Sequence, residues 1–347
     1  MKNKVYNFGI IGCGKIAHRH ASAISEIGSA RLVAVVDKIK ERAKDFSKKY
    51  GDDIEIYEDY LELLNRPDID IISVCTPNFM HAQIGIEAAR KKKHIIMEKP
   101  IATKLDDARH LIKITKSNDV KITVMYQLRF QYQLNILRKA VKEGRFGKIS
   151  ASTLSLRWNR NQEYFDNLPW IGDLEKGGGI LLNQLINYVD LMIWILGPIK
   201  GVFAYTATQH NINAEDEVAA VLKFNNGTLG IIDASLNVYR ESLGCNLSVF
   251  GDKGTVTLGG PHATKILDWS FDDRHDWEED IILKQDDRPP PTEFGVGHKA
   301  VIKNMTYSIE NNVEPYFTAE SSLDSLELVL AIHKSVKENR EIKLGGV

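Results

Sequence analysis

The chain predicts an α/β protein in two parts: a doubly wound parallel sheet over residues 1–126, then an α/β domain with a large open, mainly antiparallel sheet over 127–347. Three observations predict it. Short β-branched runs alternate with amphipathic helical stretches as far as Tyr126, the pattern of βαβ units. A G-x-G-x-x-A turn (Gly12, Gly14, Ala17) closes the first run and opens a helix. After Gln127 the runs alternate in polarity and are joined by turn residues such as "NNGT" and "GDKG", as in antiparallel strands with one face covered.

Taken in order, the strands of the first part are "VYNFGIIG", "RLVAVVD", "IDIISVCTP", "HIIMEKP" and "KITVMY", nearly continuous in apolar character because both faces of a parallel sheet are covered. Between them lie "KIAHRHASAISEI", "KERAKDFSKKY", "MHAQIGIEAARKK" and "LDDARHLIKITKSN", each with helical spacing of apolar residues. The second part opens with the helix "LNILRKAVKEG" and the alternating strand "ISASTLSLRW", then an irregular segment as far as Lys176. The glycine-led helix "GGGILLNQLINYVDLMIWIL" follows, then the strand-like runs "GVFAYTATQ", "DEVAAVLKF", "TLGIIDASLNVY" and "CNLSVFGDKGTVTLGG". An acidic, proline-rich stretch, 272–298, reads as a surface excursion, and "SSLDSLELVLAIHKSVKENR" as a closing amphipathic helix.

At 26% charged residues and a net charge of −1, nothing in the bulk electrostatics calls for nucleic acid or an anionic membrane. Cys13, Cys75 and Cys245 are odd in number and widely spaced, which argues against a disulfide framework or a cysteine-based zinc site and suits the cytoplasm. The N-terminal apolar run is short and interrupted by glycine, unlike an export signal. Residues 180–199 approach bilayer-spanning length, but central Asn, Gln and Asp residues make insertion costly and predict a buried helix. "HRH" (His18 to His20) places its histidines two apart, on different sides of a helix, and predicts no metal site. "RKKKH" reads as a solvated helix end.

The Gly12 turn, with Lys15 and Ile16 between its last two small residues, suits a pyrophosphate at a helix N-terminus. The second strand ends at Asp37, about 20 residues on, where a carboxylate meets the adenosine ribose hydroxyls and repels a 2′-phosphate. NAD is therefore expected in preference to NADP, although Lys38 stands beside Asp37. Two further strand ends carry "TPN" (Thr76, Pro77, Asn78) and "EKP" (Glu98, Lys99, Pro100) at the edge where open sheets bind ligands. On the glycine-led helix Asn183, Asn187 and Asp190 fall at i, i+4 and i+7, one polar face on an apolar helix.

In order and spacing these residues, together with "VFGDKGTVTL", resemble the glucose-fructose oxidoreductase, inositol dehydrogenase and MocA family of nicotinamide-dependent sugar oxidoreductases, over nearly the whole chain. The resemblance implies a Rossmann domain and a second domain whose open sheet makes a homodimer or homotetramer. It implies that Gly12, Gly14, Lys15, Ile16, Ala17, Asp37, Thr76, Pro77, Asn78, His81, Glu98, Lys99 and Gln127 hold the cofactor. Lys99, Asn187 and Asp190 would be catalytic, and Lys99, Arg129, Arg157, Trp170, Asn183 and Asn187 would bind substrate. Two positions depart from the family: Asn187 stands where many members have the catalytic histidine, and Ile171 where many relatives have arginine.

The segment from Leu156 to Gln184, with Arg157 and Arg160, is similar to members that oxidise nucleotide-linked N-acetyl sugars or their uronates at C3. The expected activity is therefore an NAD-dependent dehydrogenase of a UDP-linked amino sugar or its uronate. The alternatives are an inositol or free-sugar dehydrogenase, redox-assisted glycoside cleavage, and a non-catalytic NAD-binding sensor or assembly protein. An amide cannot take a proton, so Lys99 would act as base alone, or with water or Asp190.

Overall fold

The computed structural model describes residues 4–273, 275, 278 and 296–345. They fall into two compact units, the first running to Gln127 and including residues 296–323, the second running from Leu128 and resuming at Asp324.

In the first unit six strands form one parallel sheet in the order β3-β2-β1-β4-β5-β6. They are β1 (Tyr6–Ile11), β2 (Ala30–Val36), β3 (Glu55–Tyr57), β4 (Ile71–Val74), β5 (His94–Met97) and β6 (Ile122–Val124). Ile10, Val35, Ile72 and Ile96 are fully buried, as their continuous apolar runs require of a sheet covered on both faces. The connecting helices are α1 (Lys15–Ser25), α2 (Lys40–Tyr50), α3 (Tyr60–Leu64), α4 (His81–Arg90) and α5 (Leu105–Ser117). The strand order reverses between β1 and β4, the switch point at which such sheets bind ligands. The sequence reading lacks β3 and α3, whose three and five residues are too short for a periodic signal. It also places the segment 296–323 in the second domain, whereas its helix α9 (Gly297–Glu310) packs on α1, with Lys299 bonded to Glu26 at 2.8 Å.

The second unit carries an eight-stranded sheet in the order β13-β12-β11-β7-β10-β9-β8-β14. Its strands are β7 (Ile149–Arg157), β8 (Ile199–Ala207), β9 (Glu217–Phe224), β10 (Leu229–Ser235), β11 (Gly244–Gly251), β12 (Gly254–Gly259), β13 (Lys265–Phe271) and β14 (Ile342–Lys343). Neighbours are antiparallel except β7 and β10, which run parallel. Leu154, Leu156, Leu222 and Ile232 are buried on one face, while Tyr205, Val221, Leu229 and Ile231 are exposed on the other. Helices α6 (Tyr132–Lys142), α7 (Gln162–Asp166), α8 (Ile186–Leu196) and α10 (Leu323–Glu338) belong to this half of the chain. β13 and β14 went unanticipated, and the reading of 272–298 as a surface excursion lies largely outside the described residues. The stretch Leu174–Leu196 is long and apolar enough to cross a membrane, yet 78% of its most apolar window is buried within the protein.

Candidate active site

In the first unit the candidate residues stand at the carboxyl ends of β1, β2, β4 and β5. Gly12 has φ of +93°, and a Cβ there would stand 2.7 Å from the Cys75 carbonyl oxygen, so only glycine lets β1 turn this close to the end of β4. Gly14 is the N-cap of α1 with no side-chain cap bond and open space beside it. The helix N-terminus thus keeps its N–H groups for an anionic ligand. Lys15 is exposed, Ile16 half-buried and Ala17 buried in its first turn.

Asp37 is 7% exposed at the end of β2. Its Oδ2 accepts from the Cys13 N–H at 3.0 Å and its Oδ1 from the Ile39 N–H at 2.9 Å. Arg42 stands beside it, with Nη1 3.3 Å from Oδ2. Sequence reading names Lys38 as the cation near this carboxylate, but the cation that touches it is Arg42, in the first turn of α2. A charge five residues along is a cue the sequence held.

At the end of β4, Thr76 and Pro77 are half-buried and Asn78 is buried. The Thr76 hydroxyl is buried with no hydrogen-bond partner among the described residues. His81 is fully buried, its Nδ1 2.7 Å from the Pro100 carbonyl and its Nε2 2.9 Å from the Thr76 carbonyl. Burial pulls its pKa down, although both carbonyls favour the charged form. A neutral ring has one N–H and donates to one carbonyl at a time. His81 therefore clips the "TPN" turn to the "EKP" turn.

Glu98 and Lys99 follow β5, and the Lys99–Pro100 peptide is cis. Glu98 is 6% exposed, with Oε1 2.9 Å from His20 Nε2 and Oε2 accepting from the Lys99 N–H at 3.2 Å. Burial alone would raise its pKa. The His20 hydrogen bond and the charges of His20, His298 and Lys99 outweigh that and hold it below the usual range. Lys99 is half-buried. Desolvation lowers its pKa, with Glu98 pulling the other way. Neither His20 nor His298 was anticipated as part of this group. Gln127, half-buried, ends this unit.

The second unit carries its own candidate residues on the glycine-led helix. Gly179 has φ of +84°, and a Cβ there would come within 2.3 Å of a Glu215 carboxylate oxygen. That oxygen accepts from the Leu181 N–H at 3.2 Å, so Glu215, absent from the sequence reading, anchors the helix start. Leu181–Leu185 then forms a π-helical turn before α8, a widening common at functional sites. It alters the phase that the i, i+4, i+7 reading assumed for a continuous α-helix.

The result corrects the expected common polar face. Asn183 and Asn187 are half-exposed, but Asp190 is 1% exposed. The Asn183 amide donates to the carbonyls of Gly177 and Gly179 at 3.3 and 3.1 Å. Asn187 Oδ1 is buried and accepts from no described residue. The Asp190 carboxylate instead takes both arms of Arg129, itself 5% exposed: Nε at 2.7 Å and Nη2 on the other oxygen. Burial raises the Asp190 pKa and Arg129 opposes the rise. Asp190 and Arg129 are therefore joined as a buried ion pair.

Arg157 is also placed elsewhere. In β7, Leu154 and Leu156 point into the core and Arg157, by the two-residue period, to the other face. There it donates to the Asp233 carbonyl at 2.9 Å and pairs with the Asp233 carboxylate. The structure does not group it with Asn183 and Asn187. Arg160 lies 5.1 Å from the rings of both Trp158 and Tyr164, and its Nε is buried without a hydrogen-bond partner among the described residues. Trp170 is half-buried and Ile171 buried.

Comparison with known proteins agrees with this architecture. The pattern of the "Oxidoreductase family, NAD-binding Rossmann fold" matches residues 6–126, and that of the "GFO/IDH/MocA C-terminal domain" matches residues 135–257. Myo-inositol 2-dehydrogenase of Thermotoga maritima is 28% identical, covering 98% of each chain. The crystal structure of the WlbA dehydrogenase from Bordetella pertussis, in complex with NADH and UDP-GlcNAcA, superposes with a TM-score of 0.91 at 31% identity over 99% of each chain. The Chromobacterium violaceum WlbA dehydrogenase, with the same two ligands, gives 0.93 at 30% identity over 100% of this chain and 98% of that one.

Proposed function

The chain belongs to the GFO/IDH/MocA family of oxidoreductases, and on that premise we propose that it is an NAD-dependent dehydrogenase of a UDP-linked N-acetyl amino sugar or its uronate, oxidised at ring C3. The observation that carries this reading is the whole-length likeness to two dehydrogenases solved with NADH and UDP-GlcNAcA. The first unit fits the cofactor: a cradle at Gly12 that a Cβ would fill, an uncapped α1 N-terminus, Asp37 at the end of β2 and an unpaired Thr76 hydroxyl. NAD, when bound, supplies the acceptor for the hydride that leaves the carbinol carbon.

Lys99 takes the proton from the hydroxyl as the carbonyl forms, a task for which its desolvated amine is suited. Asn187 cannot share that task, but its unpaired Oδ1 accepts a hydrogen bond from a substrate hydroxyl and so orients it. Asn183 gives that wall its second amide. Arg160, beside the rings of Trp158 and Tyr164 and with its Nε unpartnered among the described residues, is the guanidinium for a diphosphate or carboxylate. On this reading the first unit, with its segment 296–323, binds the cofactor, while the second recognises substrate and makes a homodimer or homotetramer through its exposed sheet face. Three unpaired cysteines suit a cytoplasmic enzyme.

A second reading, an inositol or free-sugar dehydrogenase, is favoured by the Thermotoga relative's name and by Arg157, which is spent on Asp233. A panel of UDP-sugars and free polyols, read by NADH absorbance and by mass spectrometry of products, separates the two. Turnover that depends on the nucleotide supports the first, and turnover of free inositol supports the second. NAD binding with no product on any substrate moves the reading to a non-catalytic sensor, the case that Asn187 would favour.

A further inference from the structure

We propose that His20, Glu98 and His298 form a binding site for a divalent transition-metal ion of the zinc class. Three separate stretches bring them together: His20 from α1, Glu98 from the end of β5 and His298 from the first turn of α9. One donor atom from each lies within 4.8 Å of the others. His20 Nε2 is 2.9 Å from Glu98 Oε1, and His298 Nε2 is 4.0 Å from the same oxygen. Two nitrogen or oxygen ligands of tetrahedral zinc stand roughly 3.3 Å apart, from bond lengths of about 2.0–2.1 Å. The two Glu98 separations straddle that value and the two imidazole nitrogens lie within 4.8 Å of each other, so seating an ion needs the imidazoles to close by up to about 1.5 Å.

The chemistry of the donor set agrees. Two imidazoles and one carboxylate are a zinc set that leaves a fourth position open for water. The His298 side chain is 10% exposed and its Nε2 is buried with no hydrogen-bond partner among the described residues, a state that calls for an ion or water. On the far side of His20, Nδ1 lies 3.2 Å from the Ser73 hydroxyl. With the ring proton on Nδ1 and donated to Ser73, the Nε2 lone pair faces the ion, the outer arrangement that metal-bound histidines use. Binding then costs the His20–Glu98 hydrogen bond and replaces it with two coordinate bonds.

Access is through a cavity of about 490 Å³ that reaches His298 and is also lined by Arg19, Lys49, Lys299 and Glu26. Its cations oppose an incoming metal ion, so loading is expected to be slow and is best read at equilibrium.

The test uses the full-length protein, stripped with a chelator and titrated with Co²⁺ without substrate or NAD. Expected are visible absorption bands of four-coordinate cobalt that saturate at one equivalent and are displaced by Zn²⁺. His298→Ala should weaken Co²⁺ binding at least tenfold. Ser73→Ala, which touches no ligand atom directly, should weaken it about 10–100-fold through His20. Circular dichroism and NAD binding establish that each variant is folded; if His298→Ala is not, Ser73→Ala decides. No bands at stoichiometric cobalt, or an affinity unchanged in the folded variants, overturns the proposal. The readout is independent of turnover, so its failure leaves the dehydrogenase reading intact.

Discussion

The two groups of candidate residues, one in each unit, solve the same problem, presenting polar groups at the edge of an apolar core, in opposite ways. Around the Gly12 turn most polar groups are tied to nearby backbone: Asp37 to the N–H groups of Cys13 and Ile39, His81 to a carbonyl of either the Thr76 or the Pro100 turn, Glu98 to the Lys99 N–H. On the glycine-led helix the backbone itself yields, through a π-helical turn, and Asn187 Oδ1 is left buried and unpaired. The first arrangement is mostly satisfied by its own backbone, with the Thr76 hydroxyl and the α1 N-terminus left for a ligand. The second holds a deficit that a ligand can repair, since an unsatisfied buried acceptor costs about 1–3 kcal/mol.

The sharpest test of this contrast is Lys99→Met. Turnover should fall about 10²–10⁴-fold, the worth of a general base, while NAD affinity measured by calorimetry stays within twofold. Loss of NAD binding along with turnover would show that Lys99 serves the cofactor cradle. Next in size is Asp190→Ala, which leaves the Arg129 guanidinium buried without its carboxylate. Denaturant unfolding should show a loss of about 3–5 kcal/mol, as for other broken buried pairs. Unchanged stability with lost turnover would return Asp190 to catalysis.

Asn187→Ala should behave in the reverse sense to Asp190→Ala. Removing an unpaired acceptor leaves stability unchanged or raised, while kcat/KM falls roughly 3–10-fold with the loss of one hydrogen bond to substrate of about 0.5–1.5 kcal/mol. A drop in stability would mean that the amide has a structural partner. Asn187→His sharpens the point, because it adds a titrating ring with a reference pKa of about 6.5. The variant should gain a limb in its pH–rate profile near that value, with activity falling as the pH drops below it and the ring protonates. A profile identical to that of the unaltered protein would place residue 187 away from the reacting hydroxyl.

The smallest expected effect is at the ribose. Asp37→Ala should narrow the preference for NAD over NADP, since it removes the carboxylate that repels a 2′-phosphate and frees Arg42 to meet one. An unchanged ratio of the two dissociation constants would mean that the ribose sits elsewhere.

How much of this was legible in the sequence follows from the range of the interactions. The strand, the Gly12 turn, α1 and the carboxylate at the end of β2 are all written within short stretches. A tight turn and a buried strand are decided by neighbouring residues, and the structure places them as the sequence reads. "EKP" and "TPN" are likewise strand ends, found by counting along apolar runs.

Tertiary structure alone decided the rest. The phase of the polar face depends on where the helix widens, at a start that Glu215 meets from a distant loop through the Leu181 N–H. Asp190 turned inward because Arg129 was there to meet it. The period of β7 puts Arg157 on the open face, but that it meets Asp233 there follows from β10 pairing beside β7. His298 came to Glu98 only because α9 returns to pack on α1. Local propensity and periodicity fix elements and their faces, whereas which charged group meets which depends on contacts between segments far apart in the chain, and no spacing along the sequence encodes those.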